Sequence, residues 1–125
     1  MTTDATERAA ELLAQPAPAP AETPARIEAL NLCSYDVAEH IADLSDRAGQ
    51  LEEAAAAEAS AESNDARRKS RKCELLRASE EYADLRGDIR SANRVRVELD
   101  ERAARLRREY RLALIQLERE GAQGR

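Results

Sequence analysis

Few side chains in this sequence have the chemistry that catalysis or metal binding needs. There is one histidine, His40, and two cysteines, Cys33 and Cys73. An active site requires polar groups converging in a pocket. The sequence has no Gly-rich phosphate loop, no CxxC and no HExxH, so no standard cofactor or metal motif is present. His40 reads as a flanking surface residue. On the two arms of a helical hairpin Cys33 and Cys73 would lie about 30 Å apart at 1.5 Å per residue, too far for a bridge, so both read as free thiols. The carboxylates recur at even spacing on helix faces, without the ligand spacing of a metal site. The expectation is therefore no catalytic residue, no metal and no cofactor.

The strongest chemical signal is cationic. "DARRKSRKC", Asp65 to Cys73, places Arg67, Arg68, Lys69, Arg71 and Lys72 within six residues. Such a cluster can contact phosphates, releasing counterions from a nucleic-acid backbone. Arg94, Arg105 and Arg108, on the outer face of "RVRVELDERAARLRREYR", would extend that surface or meet an acidic protein partner. The cluster can also balance acids within the chain. Residues 1–65 hold 14 acids and three Arg, and residues 66–125 hold 11 acids and 17 Lys and Arg, giving the overall net charge of −5. Pairing of the two halves, with Glu58 and Glu62 beside the cluster, is the favoured reading. Glu98, Glu101 and Glu109 interrupt the outer Arg face, which weakens the case for nucleic acid.

These residues must be positioned by helices. The chain has three Tyr and no Phe or Trp, and over a third of it is charged; that composition suits long helices rather than a bulky globular core. All four Pro fall between Pro16 and Pro24, leaving residues 25–120 free of the strongest helix breaker. Stepping by three and four from Ile27 gives Leu30, Ser34, Val37, Ile41, Leu44, Ala48, Leu51 and Ala55. The same stepping from Leu75 gives Ala78, Tyr82, Leu85, Ile89, Ala92, Arg96, Leu99, Ala103, Leu106, Tyr110, Ala113 and Leu117. Both are heptad seams.

The predicted fold is all-α: a long antiparallel two-helix coiled-coil hairpin over residues 25–120, with helices at about 25–62 and 66–120. A short mobile N-terminal helix (1–15, capped by Asp4 with Glu7), an Ala/Pro linker (16–24) and a disordered tail (121–125) flank it. Gly121 is expected to end the second helix, and Asp65 or Ser63 to cap its start. With the turn near Asn64, Leu44 faces Tyr82 and Leu85, Arg47 faces Glu81, and His40 faces Asp88. Ser34 and Arg96 then form a polar layer that sets register. The second helix outruns the first, and Leu112, Leu114, Ile115 and Leu117 on the overhang mark a self-association surface, or one that Leu12 and Leu13 fold back to cover. No apolar run is long enough for a membrane span, and the acidic N-terminus lacks a signal-peptide plan, so a cytoplasmic location is expected.

The stretch "ESNDARRKSRKCELLRASEEYADLRGDIRSANRVRVELDERAARLRREYRL" resembles short coiled-coil proteins of tailed phages of actinobacteria. Arg67–Lys69 match their basic start, and Ile89, Arg90, Arg94, Val95 and Arg96 their later Arg spacing; the resemblance spans residues 27–118. It implies a non-enzymatic phage accessory protein of the host cytoplasm, acting by protein–protein contact in recombination or replication. The expected partners are a second copy, as a homodimer, and another protein. Nucleic-acid binding through the basic cluster, and a scaffold or chaperone role, are the alternatives.

Overall fold

The computed structural model describes residues 3–123, with side chains from Ala5 to Gln123. The chain is helical, and no strand occurs among the described residues. The elements are α1 (Thr3–Ala14), a short 3-10 turn (Pro20–Glu22), α2 (Thr23–Ala59), α3 (Asp65–Ala78) and α4 (Glu80–Gln123). They form two units, Met1–Ala38 with Arg94–Arg125, and Glu39–Asn93; α2 and α4 each contribute to both.

The buried positions follow the seams. In the first unit Leu30, Ser34 and Val37 of α2 and Leu99, Ala103 and Leu106 of α4 are buried, and Leu30, Leu99 and Val37 are the largest side chains that are fully so. Each of those three is worth about 1.5–3 kcal/mol. In the second unit Leu44 and Ala48 pack with Leu85 and Ile89, flanked by Ile41, Leu51 and Tyr82. Arg96 lies on the seam between the buried Ala92 and Leu99 yet is exposed, as are Ala78 and Leu117 nearer the ends of the seam. The long Arg96 stem can carry the guanidinium out to water, which avoids the cost of burying an unpaired charge.

Expected to be mobile, the N-terminal helix is packed instead. Twelve residues make a marginal helix in water, so α1 depends on docking. Ala5 and Ala9, one turn apart, are buried, along with Cys33 of α2. The Cys33 thiol donates to the Ala5 carbonyl at 3.6 Å, Arg8 pairs with Asp36 at 3.2 Å, and Arg102 of α4 donates to the Leu13 carbonyl at 3.3 Å. The Asp4 cap lies outside the described side chains.

The linker leaves α1 extended, with Ala19 at φ −63°, ψ 153°, the polyproline region. Thr23, the first residue of α2, does not act as its side-chain cap. Its own backbone is helical, and its hydroxyl donates to the Ala19 carbonyl at 3.1 Å, tying the 3-10 turn to the helix start.

The helix expected over residues 66–120 is two helices, α3 and α4, divided at Ser79. Ser79 is extended at φ −84°, ψ 113°, and its N–H bonds to the Leu76 carbonyl. Its hydroxyl accepts from the Tyr82 N–H at 3.1 Å. One Ser thus ends α3 and caps α4, a competition with helical hydrogen bonding that Ser side chains are suited to win. The start of α3 is capped by Asn64, whose side chain accepts from the Arg67 N–H at 2.9 Å, rather than by Asp65 or Ser63. Asp65 falls in the first turn, where its charge suits the helix dipole. At the other end α4 continues through Gly121 to Gln123. A Gly ends a helix by turning left-handed, and among the described residues no Gly has positive φ.

The docking of α1 predicts the reactivity of Cys33. Burial raises the Cys33 thiol above its ordinary value of 9.0, with nearby Arg8 lowering it and Asp36 raising it to a smaller extent. The thiolate is the reactive form, so in the native protein a thiol reagent should modify the exposed Cys73 first. Ala9→Arg should undock α1 and speed Cys33 labelling about tenfold or more, the factor that about 1.4 kcal/mol of docking energy represents. Unchanged labelling would mean that α1 does not cover the thiol.

Candidate interaction surfaces

The basic cluster lies on α3, a helix with no buried residue. Arg67, Arg68, Lys69 and Arg71 are exposed, and Lys72, Leu75 and Leu76 are half-buried. Among the described residues the cations do not pair with the acids of α2. Arg68 pairs with Asp65 and Arg71 with Glu74 at 3.4 Å, both three residues away on the same helix. The cluster reaches Glu62 through its backbone, by a hydrogen bond from Arg68 Nε to the Glu62 carbonyl at 3.2 Å. Arg67 donates to the Ser63 hydroxyl at 3.3 Å. Same-helix partners are already held close by the backbone, so a pair with them orders less free chain. Lys69 and Lys72 are in no ion pair among the described residues.

Cross-helix charge pairs of Arg47 with Glu81 and His40 with Asp88 are likewise absent among the described residues. His40 is half-buried, and its Nδ1 is buried without a hydrogen-bond partner. The polar bonds linking α2 to α4 are of another kind. Ser34 donates to Asp100 Oδ1 at 2.6 Å, so its partner is Asp100 and not Arg96. Tyr82 donates to Glu52 Oε1, also at 2.6 Å. Each uses a hydroxyl to meet a carboxylate, a short charge-assisted bond that needs no second buried charge.

Arg94, Arg105 and Arg108 are exposed on α4. So are Leu112, Leu114, Ile115 and Leu117, at 65%, 44%, 39% and 59% of their full surface. Leu12 and Leu13 are half-buried in the first unit. Tyr110 is half-buried and lines a small cleft with Pro18, Pro20 and Thr23.

A larger cleft, of about 280 Å³, opens in the first unit beside the linker. Arg26, Arg102 and Arg105 approach it over Leu12, Leu30 and Leu106. Of these three arginines only Arg105 stands out in the sequence as a candidate. The convergence depends on where α1 and the linker dock, which no spacing within α2 or α4 encodes. Among the described residues no group of three or more His, Cys, Asp and Glu is placed to hold a metal, and no helix is long and apolar enough to cross a membrane. Compared with known proteins, the chain matches no family model, no curated protein and no solved structure.

The Tyr82–Glu52 bond predicts an alkaline stability change. The hydrogen bond to Glu52 raises the Tyr82 phenol above its ordinary value of 10.0, and desolvation and the Glu52 charge act in the same direction. The folded chain therefore holds a proton that the unfolded chain gives up. The contribution of this bond is complete below pH 10 and is lost as pH rises through the elevated folded value. Tyr82→Phe should cost about 1 kcal/mol at neutral pH and reduce the loss of stability above pH 10, as followed by urea denaturation across pH. An unchanged alkaline profile would remove Tyr82 as its source.

Proposed function

We propose that the chain is a non-enzymatic accessory protein that acts by helix-to-helix contact, as an antiparallel coiled-coil hairpin that pairs with a second copy. The observation that carries this is the end of α4. Leu112, Leu114, Ile115 and Leu117 are each exposed on this one stretch of helix, although burying large apolar side chains is the main source of stability for so Ala-rich a chain. A second copy offers the same side chains, and a two-fold interface covers those on the facing side of both helices at once.

The antiparallel reading is supported within each unit. In the first, Ser34 bonds Asp100, while Arg26 and Leu30, earlier on α2, share a cleft with Arg105, Leu106 and Glu109, later on α4. In the second, Glu52 bonds Tyr82, while Leu44, earlier on α2, packs with Leu85 and Ile89, later on α4. The resemblance to phage coiled-coil proteins directs the proposed activity toward recombination or replication machinery in a host cytoplasm.

A second reading, nucleic-acid binding through α3, is favoured by one specific observation: among the described residues the cluster's ion pairs are all with acids of its own helix, so the acids of α2 do not account for the charge. Here that charge remains available to phosphates.

Light scattering of the purified chain tests the first reading. A dimer mass is expected, falling to the monomer mass when Leu112 and Leu117 are changed to Lys; a monomer mass at every concentration would overturn it. DNA retention tests the second. Changing Arg67, Arg68, Lys69, Arg71 and Lys72 to Ala should lower affinity and reduce the salt dependence by about one unit of slope for each phosphate the chain ceases to neutralise. An unchanged slope would end that reading.

A further inference from the structure

The cleft beside the linker combines features that a solvated helix face does not need. Its floor is apolar, with Leu30 and Leu106 buried and Leu12 half-buried. Its cations are Arg26, Arg102 and Arg105, and the single acid in its lining is Glu109. Two of the guanidinium groups are held in place by the backbone. Arg26 Nη1 donates to the Pro16 carbonyl at 3.1 Å, and Arg102 Nη1 donates to the Leu13 carbonyl at 3.3 Å. A guanidinium has five donors, so each anchor uses only part of the fork. None of the three arginines has a carboxylate within ion-pair distance among the described residues.

We propose that this cleft is a binding site for a small amphipathic anion, a phosphate or carboxylate head group carrying a short apolar body. The head group sits against the arginines, where planar forks match the paired oxygens of either acid. The apolar body lies against Leu12, Pro16 and Pro18, above the buried Leu30 and Leu106. Anchoring of Arg26 and Arg102 reduces the side-chain ordering that binding would otherwise require. The volume, about 280 Å³, is at the small end of ligand pockets, which selects a short body over a long lipid chain. Because the walls come from the end of α1, the linker, α2 and α4 together, an occupant also ties α1 to the rest of its unit, and its binding should raise the protection of Cys33. The proposal stands independently of dimer formation.

Titration calorimetry on the full chain tests it with three probes: hexyl phosphate, hexanoate and inorganic phosphate. Hexyl phosphate or hexanoate should bind saturably and at least about tenfold more tightly than inorganic phosphate, a difference of about 1.4 kcal/mol; the tighter of the two identifies the head group. Arg105→Glu, at an exposed position, should weaken that binding about tenfold or more. Arg90→Glu, the same charge change on α4 outside the cleft lining, should leave it within about twofold. In parallel, a saturating probe should slow Cys33 labelling. The proposal is overturned if neither amphipathic probe binds, if inorganic phosphate binds as tightly as both, or if the two Arg variants weaken binding equally.

Discussion

Everything in this structure depends on a narrow apolar stripe. With three Tyr, no Phe and no Trp, the chain cannot build a thick core, and its buried area comes from Leu, Ile, Val and Ala at three- and four-residue spacing. The stripe is punctuated by small residues: Ala48, Ala55 and Ala59 on α2, and Ala92 and Ala103 on α4, are all buried. A buried Ala contributes little area of its own but lets backbones approach, so that the larger neighbours Leu44, Leu99 and Leu106 lose water on more sides. Polar groups that enter this stripe must do so at low electrostatic cost. Ser34 and Tyr82 meet that condition with hydroxyls that end on carboxylates, whereas Arg96 leaves it.

The same constraint explains why the charges behave locally. Acidic and basic segments of one chain attract on average, yet a cross-helix ion pair must hold two long side chains in one geometry in water, and that net gain is about 0–1 kcal/mol. Asp65 and Glu74 are already within reach of Arg68 and Arg71 on α3. The segregation of charge along the sequence is therefore not evidence of pairwise bonding, and α3 is left with more cations than its own acids neutralise.

Much of the architecture was legible because heptad spacing is a direct consequence of helix geometry. Leu30, Val37, Leu44, Leu85, Ile89, Leu99 and Leu106 sit where the pattern places them. The break at Ser79 was not legible, since it needs neither Gly nor Pro. A Ser that bonds both Leu76 and Tyr82 looks, in sequence, like any polar residue on an outer face. Cys33 lies one position off the α2 seam, and its thiol is buried against the Ala5 carbonyl of α1. The docking of a 12-residue helix on a distant one leaves only the weak trace of small residues one turn apart. For the same reason the arginine-lined cleft could not be read from α4 alone.

The N-terminal segment thus has more influence than its length suggests. Without α1 and the linker, Arg102 would have no Leu13 carbonyl and Arg26 no Pro16 carbonyl to hold it, and Leu30 and Leu106 would lose part of their cover. The guanidinium groups would then be ordinary solvated charges, free to rotate and costly to order on binding. Docking converts them into a fixed rim above an apolar floor. The energy that seats α1 comes from the burial of a few small apolar side chains, one exposed ion pair and hydrogen bonds to carbonyls, all individually modest. A weakly seated element of this kind responds to small free-energy changes. A ligand in the cleft and the docking of α1 must therefore strengthen each other, because each stabilises the arrangement the other requires.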